Sequence, residues 1–589
     1  FNPYWNIYEN TNADTRHRFS GTMRLEIEIL RGLKAVGKAG VDAFWWQGSE
    51  FYNPGARSDL DGGMKNWNNN SATTNFEGML MYNNRFGKLS LNAMIGMSQY
   101  QRNYEKRTQE LSSVLIGGFD NISNSDEYPI VSQNKYKKII RSGFGSLSLG
   151  WSNYLYLDIT ARNDWSSTLP SNNNSYFYPS FGGSFVFTDA FKINPTVLSF
   201  GKLRASYAYA GADTDPYRIS QSYGLGYIYN GSPLQVINTT LNNEWLKPER
   251  TKSLEIGAEF KFFGNRLGLD LNYYKSDSYD LITRIALPAS SGYTYRYMNT
   301  GHIRNRGWEA VLTATPVATR NFTWSTTVNW SLNRSKVIKV ADGNPNVQLR
   351  KVSNVSIMLE EGMPYGILRG REWKRDEQGR KLVDANGKPL VSDNTAYLGN
   401  AEPKWRGSFG STLRYKDFSL SFLLEGKFGG VLYSGTWSRA TTAGVVAESA
   451  EGRESYYLSN IIYGESDNFL TGGIKWDDAY YEDGTKCERY VKPNNRYGSW
   501  DERCVFDASY IKLREVSIGY RVPRSFLKKL RIVRDARLSF VGRNLAILYQ
   551  NTPHGIDPEA ATSSGNAQGI EYGSLPPTAS FGFDINVSF

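Results

Sequence analysis

The chain has 589 residues, 40% hydrophobic, 14% aromatic and 21% charged, with a formal net charge of +11. A mean hydropathy of −0.49 and the lack of any apolar run near the ~18 residues that a spanning helix needs exclude a helical membrane protein, while leaving ample material for a large folded body. The positive balance permits a nucleic-acid binder, but Lys and Arg are scattered instead of forming a stripe, and the densest cluster, FLKKLRIVRDAR from Phe526 to Arg537, reads as a polar turn between two strands, so no nucleic-acid partner is expected.

The N-terminal stretch FNPYWNIYENTNADTRHRF has no apolar core between basic and small residues, so no secretory signal pattern is visible. A first strand is expected over Arg16 to Ile29. Leu89, Leu91, Ala93, Ile95 and Met97 then alternate with polar residues after the turn NNRFGK, and Leu155, Leu157, Ile159 and Ala161 do so after Ser152-Asn153. The clearest signal is Ser253 to Tyr274: Leu254, Ile256, Ala258, Phe260 and Phe262 share one face, Gly264-Asn265 reverses the chain, and Leu267, Leu269, Leu271 and Tyr273 resume that face. Phe322, Trp324, Val328, Trp330 and Leu332 repeat the pattern after PVATRN, and Phe409, Leu413 and Tyr415 turn at Lys416-Asp417 into Phe418, Leu420, Phe422 and Leu424. The chain finishes on Phe581, Phe583, Ile585, Val587 and Phe589, separated by small or polar residues.

The opposite faces of these strands carry Glu259, Lys261, Asp270, Asn272, Thr323, Ser325, Asn329, Arg414 and Glu425, too polar for a packed interior. One apolar and one watered face, on strands longer than the usual five or six residues, fits a wall between lipid and water. Connections add a second regularity. Short links at 31 to 34, 85 to 88, 152 to 153, 263 to 266, 316 to 321 and 416 to 417 alternate with long polar segments at 48 to 71, 101 to 136, 210 to 250, 281 to 304, 337 to 404 and 429 to 506. A soluble sandwich or propeller has no reason to alternate in this way, whereas a transmembrane antiparallel β-barrel does. The fold class is therefore all-β, with about 17 strands in this chain.

Chemistry is sparse. His17, His302 and His554 lie far apart, and no hydrolase elbow or zinc-protease motif occurs, so no enzyme, cofactor or metal is expected. The carboxylates of WDDAYYEDG from Trp476 read as a solvated turn, and DANGKPL from Asp384 as a hairpin turn. Cys487 and Cys504, the two cysteines, fall in one long segment and are expected to form a disulfide, with free thiols as the alternative. Trp437, Tyr456, Tyr457, Trp476, Tyr480, Tyr481 and Trp500 crowd the same segment, where flat rings would stack on sugars, anchor a partner or pack within the loop.

Particular stretches carry a resemblance. NPYW at Asn2, ARNDWSSTLP at Ala161, SYFYPSFGGSFVFTDAF at Ser175, GKLRASYAYAGADTDPY at Gly201, LKPERTKSLEIGAEF at Leu246, NTGHIRNRGWE at Asn299, LGNAEPKWRGSF at Leu398, YIKLREVSIGYRVP at Tyr510, GRNL at Gly542 and GIDPEA at Gly555 resemble, in order, the SusC/RagA family of TonB-dependent outer-membrane transporters of Bacteroidota. Each motif is weak; their combination and order are specific. The resemblance implies a 22-stranded barrel, an N-terminal plug, a TonB box, and a SusD-like surface lipoprotein that closes over the mouth to capture oligosaccharides or peptides. Residues 1–589 resemble the C-terminal portion of one such barrel, without a plug, so about five strands of the family's barrel are expected outside it. Arg16 to Ile29 and the terminal strand should then border the missing part. The implied function is TonB-dependent import of a bulky nutrient across the outer membrane. A passive porin and a secretion or surface-assembly scaffold are the alternatives. Other expected partners are TonB through a plug outside this chain, the assembly machinery, membrane lipids and lipopolysaccharide. The last strand, ending on Phe589, resembles the signal by which outer-membrane proteins are recognised for assembly. Long loops should lie outside the cell and short turns in the periplasm, which puts residues 1 to 18 outside.

Overall fold

The computed structural model describes residues 3–55, 60–341, 343–463, 471–497, 500–527, 532–563, 565–575 and 577–588. Phe589, Asn2 of the NPYW motif and the centre of the expected basic turn, 528–531, lie outside these residues. Among the described residues an 18-stranded sheet dominates. One of its members is the two-residue strand Thr240–Leu241, which pairs in parallel with Tyr295 and Arg296. The other 17 match the expected count. The chain divides into two compact units, Phe1–Phe185 with Ala205–Ser253 and Ser278–Thr300, and Val186–Arg204 with Leu254–Asp277 and Gly301–Phe589.

The first unit is built on consecutive antiparallel hairpins of β1 (Thr11–Leu30), β2 (Leu33–Tyr52), β3 (Gly63–Phe86), β4 (Leu89–Leu111), β5 (Ile130–Trp151), β6 (Leu155–Ser166) and β7 (Ser175–Val186). Their tight ends are fixed by left-handed residues: Gly32 has φ +85 and no room for a Cβ, which would lie 2.5 Å from the Asn83 carbonyl oxygen, and Ser152 and Asn153 have φ 51 and 63. Register places Ile27, Ala35, Leu80, Ile95, Gly145 and Ala161 in one transverse row. The opposite face carries Arg24, Lys38, Glu77, Ser98 and Ser142 in a row of its own, with Lys38 and Glu77 paired at 3.3 Å. Met23, Leu25, Ile27, Phe76, Ile95 and Met97 are all more than half exposed on the apolar face. A sheet in water would cover such a face; one that displays it is solvated by lipid.

The height of the band supports this. On β3 the apolar face runs from Phe76 to Phe86, where the row Phe86, Leu89 and Trp151 adds aromatic rings at the tight end. Ten residue steps make ~33 Å of strand, and at a barrel tilt of ~40° this covers ~25 Å, the thickness of an outer-membrane apolar band. Beyond Phe76, β3 continues for another dozen residues that are mostly polar on both faces, although Phe19 and Trp45 of the neighbouring strands stay exposed on the apolar face. This corrects the expected loops: the link after β2 is confined to 53–62, not 48 to 71, and the link after β4 to 112–129, not 101 to 136. Apolar alternation stops where lipid stops, while backbone pairing needs no apolar face and carries on into water.

The strands β8 (Leu198–Ala212), β9 (Glu249–Phe262), β10 (Leu267–Ala286) and β11 (Tyr295–Ala318) follow, and the expected loop at 281 to 304 shrinks to 287–294. The β9–β10 hairpin forms as its sequence dictates, with Phe263, Gly264 and Asn265 all at positive φ. In the second unit, β12 (Phe322–Lys339) is joined by β13 (Trp405–Tyr415), β14 (Phe418–Phe428), β15 (Tyr510–Arg521), β16 (Asp535–Gln550) and β17 (Ser580–Ser588). On β17 the apolar row Phe581, Phe583, Ile585 and Val587 is exposed and in register with Gly542, Phe540, Leu538 and Ala536 of β16. Among the described residues, β1 pairs with β2 along one edge and β17 with β16 along one edge. Their exposure along nearly every residue is that of edge strands.

Candidate functional site

Three connections of the second unit, 340–404, 429–509 and 551–579, leave the same end of β12, β14 and β16, because alternate links of an antiparallel meander share an end. They are not independent loops. Asn346–Val352, Val355–Glu360, Ile367–Gly370 and Ala396–Asn400 form a four-stranded sheet in the first connection. Val431–Ser434 pairs antiparallel with Val505–Asp507 and in parallel with Ile570 and Glu571, so the second and third connections share a small sheet. Val355, Ile357, Leu368, Tyr433, Cys504 and Ile570, drawn from all three, make a buried core. Burial pushes the Tyr433 phenol up to about 12 and also raises the Cys504 thiol.

Polar contacts finish the assembly. The Asp501 carboxylate accepts from the Arg371 backbone N–H at 2.9 Å, and the Asp501 N–H donates to the Arg371 carbonyl at 2.7 Å. Arg375 pairs with Glu502 at 2.7 Å, and the Ser434 hydroxyl donates to Glu571 at 2.6 Å. The Ser434 hydroxyl also accepts from the Trp437 N–H at 3.0 Å, which caps the helix Gly435–Ala443, and Gly444 closes that helix in a left-handed conformation.

This cap is anchored to the sheet by a charged cluster at the start of β15. Lys512, itself buried, donates to Asp557 at 2.7 and 2.9 Å and to Glu559 at 2.5 Å. Arg514 reaches Glu425 at 2.7 Å and Glu559 at 2.5 Å, and the Tyr510 hydroxyl donates to Glu559 at 2.7 Å. Burial pushes the Glu559 carboxyl up, but hydrogen bonds from Arg514, Lys512 and Tyr510 outweigh it and hold the group at about 2. Asp557 and Glu559 belong to the GIDPEA motif, which thus fastens the third connection to β15.

The expected aromatic site is redistributed. Trp476 and Trp500 both pack on Trp373 with ring centroids 4.9 Å away, in a core with Val383, Ala479 and Cys487. The Trp476 indole donates to the Gly387 carbonyl at 2.7 Å. Tyr480 lies under the Arg380 guanidinium, Tyr481 packs beside the same core, and Trp437 sits edge-on to Phe506. These rings pack on one another and on their neighbours within the cap. Trp373 lies in another connection, and its central place has no local sequence signal. Tyr456 and Tyr457 remain, 5.8 Å apart on the helix Arg453–Tyr463, where Tyr457, Leu458, Ile461 and Ile462 present an exposed apolar face. The disulfide is also corrected: Cys487 and Cys504 are free thiols buried in different cores. Each is held by its own hydrophobic cluster, and the Cys487 thiol donates to the Tyr481 hydroxyl at 3.3 Å. The Asp384 turn forms as expected, its carboxylate accepting from the Asn386 and Lys388 N–H groups.

Facing water on the sheet are polar networks that sequence periodicity located but could not pair. Arg204 grips Asp270 through two hydrogen bonds of 2.6 and 2.9 Å, Lys261 meets Glu259 at 3.1 Å, and Asp277 accepts from Arg304 at 2.7 Å.

Residues 2–545 match the family model described as TonB dependent receptor-like, beta-barrel. The chain belongs to the TonB-dependent receptor family. The match is to the outer-membrane β-barrel of that family. The chain is 27% identical over 570 residues to TonB-dependent receptor P3 of Formosa agariphila, covering 88% of this chain and 52% of that protein. It is 24% identical over 475 residues to TonB-dependent receptor SusC of Bacteroides thetaiotaomicron, covering 76% of this chain and 43% of that one. This receptor chain therefore spans about half the length of the curated relatives it matches. In fold it is similar to a chain of the RagAB peptide transporter, with a TM-score of 0.77 at 19% identity, covering 100% of this chain and 63% of that one. The SusC/RagA resemblance read from the motifs is supported by both comparisons.

Proposed function

We propose that this receptor barrel serves TonB-dependent import of a bulky nutrient, an oligosaccharide or a peptide, together with a SusD-like surface lipoprotein. The observation that carries this reading is the cap: three connections at one end of the sheet share cores, strands and ion pairs, which suits a rigid seat for a closing partner better than a set of independent loops. In this reading the long connections face outside and the short links the periplasm. The open edges of β1 and β17 border further strands of the same barrel, because unpaired backbone groups in lipid cost several kcal/mol each. The exposed face of Tyr457, Leu458, Ile461 and Ile462 is where the lipoprotein would rest, since a partner surface gathers aromatic and aliphatic side chains that a watered loop otherwise hides.

Growth and uptake in a strain lacking the gene test the function. Loss of growth on one class of oligosaccharide or peptide, with uptake abolished by a protonophore, is the expected result. Uptake that persists in the uncoupled cell would identify a passive porin instead. Replacing Ile461 and Ile462 by Glu should abolish co-purification of the lipoprotein while leaving barrel abundance unchanged.

A further inference from the structure

The watered face of β1 to β5 changes character above the row of Lys38 and Glu77. Register sets Arg16, Trp46, Asn69 and Lys106 in one transverse row, and Phe44, Tyr104 and Tyr136 in the row beneath it. Trp67 stands one row higher and Arg102 one row lower. Each lies an even number of residues along its strand from the Lys38 row, so all share its face. The rings are held in place: Trp67 lies against Gly48, where a Cβ would come within 2.3 Å of the indole, and meets Trp46 edge-on with centroids 6.1 Å apart. The Trp46 indole donates to Asp14 at 2.8 Å, and Tyr104 stacks on Tyr136 at 4.6 Å.

Cations are in surplus around these rings, because the nearby carboxylates are already engaged. Asp42 pairs with Arg18 at 2.7 Å, and Asp213, from the connection after β8, with Lys138 at 2.5 Å. A row above Trp67, Glu110 pairs with Lys65 at 3.1 Å, and Glu50 stands in register with the same lysine. Among the described residues Arg16, Arg102 and Lys106 have no carboxylate partner. Arg16 lies 4.2 Å over the Phe44 ring, and Arg102 lies 5.9 and 5.6 Å from the rings of Tyr104 and Tyr136. Arg102 Nε and Oδ1 of the buried Asn69 also lack a hydrogen-bond partner among these residues, which leaves unused donor and acceptor capacity beside the rings.

We propose that this wall binds an acidic oligosaccharide, carboxylated or sulfated, with sugar faces against Trp46, Trp67 and Tyr104 and acid groups at Arg16, Arg102 and Lys106. The site rests on the import reading, in which the watered face borders the path of the nutrient, and it narrows the nutrient to one class. Aromatic faces receive the C–H faces of a sugar ring, and guanidinium and ammonium groups hold carboxylate or sulfate through charge-assisted hydrogen bonds. From β1 to β5 the wall is ~19 Å wide at the usual strand spacing, so it takes a chain of linked sugars and not a single one. A peptide suits it less: extended peptides bind by adding a strand to a free sheet edge, whereas β2, β3 and β4 are paired on both sides and this face offers side chains alone.

Isothermal titration of the full-length receptor with its lipoprotein tests the site, using four hexameric probes: oligogalacturonate, a sulfated galactan, maltohexaose and hexaglutamate. At least one of the two acidic sugars should bind about tenfold more tightly than maltohexaose and hexaglutamate. Arg102→Gln with Lys106→Gln should weaken that binding about tenfold, as the loss of two charge-assisted contacts predicts, and Trp46→Ala should weaken it several-fold. Lys65→Gln, whose ammonium already has Glu110, should leave it unchanged. In the wild type itself, raising salt from about 0.05 to about 0.5 M should weaken it several-fold, a readout that needs no variant. Preference for maltohexaose or hexaglutamate, no binding of either acidic sugar, or an affinity indifferent to salt and to the double variant overturns the proposal. The import reading fails separately. An acidic sugar that binds as expected but still enters cells treated with a protonophore defeats coupled import and leaves the acidic wall standing, whereas protonophore-sensitive uptake of a neutral sugar or a peptide alone defeats the wall and leaves import standing.

Discussion

The sheet of β1 to β5 and the cap of the second unit use the same apolar residue types in opposite ways. On the sheet, Phe76, Ile95 and Met97 stand exposed in rows on one face. In the cap, Trp373, Trp500 and Cys487 are buried within a few per cent of complete enclosure. The difference follows from the solvent. Lipid leaves apolar side chains no reason to leave the surface, so a strand there needs only an alternating pattern and a closed backbone ladder. Water around the cap forces its rings inward, and a segment with little regular secondary structure must build a core from distant pieces. One region is governed by period, the other by three-dimensional packing.

Breaking each region should therefore need a different substitution. Trp373→Ala removes the ring on which Trp476 and Trp500 converge and should destabilise the cap by ~3 to 5 kcal/mol. Proteolysis should then cut within 371–392 and 474–491, while the strands of the sheet stay protected. Leu80→Arg places a charge in the middle of the apolar band and should cost ~2 to 4 kcal/mol in folding into lipid vesicles, against ~0 to 1 kcal/mol for Ala72→Arg on the same face beyond the band. Similar losses at both sites would remove the band.

The anchor between cap and sheet sharpens the comparison through pH. Glu559 is held at about 2 in the folded protein, below its ordinary value of 4.5. A carboxyl lowered on folding contributes its full stabilisation above pH ~4.5, and loses it as pH falls from there towards 2, because the unfolded chain takes up the proton first. The contribution is on the order of 2 kcal/mol once solvent screening is allowed for. Protease resistance of the cap should weaken in that window, and Glu559→Gln should flatten the profile. The smallest effect belongs to Asp270→Asn. Periodicity alone predicts a nearly free change on a watered face, but Asp270 holds Arg204 through two hydrogen bonds. Both side chains are about a third exposed, so the loss should be measurable and below ~1 kcal/mol in a denaturant titration.

The sheet was legible in sequence to the extent that lipid shaped it. The tight turns at Gly264-Asn265 and Lys416-Asp417, the apolar rows and the count of 17 long strands all follow from local alternation. Strand length beyond the band was not legible, since residues such as Asn66 to Asn70 and Gln101 to Arg107 carry no apolar period although they pair without interruption. The cap was the least legible. Its defining pairings join Tyr433 to Val505 and to Ile570, and its aromatic centre, Trp373, stands about a hundred residues before the rings it gathers. Counting cysteines in one segment suggested a cross-link, but each thiol had already been claimed by a separate core. Of the seven aromatic candidates, only Tyr456 and Tyr457 lie on the exposed helix with unburied apolar neighbours.

Spin-label accessibility along β3 tests the central claim most directly. Single Cys substitutions from 66 to 86, labelled and reconstituted in vesicles, should show a two-residue alternation from 76 to 86, with Phe76, Gly78, Leu80 and Tyr82 reached by oxygen and their odd-numbered neighbours by an aqueous nickel reagent. From 66 to 72 the aqueous reagent should reach both faces. Equal aqueous access at Leu80 and Met81 would contradict a lipid-facing wall.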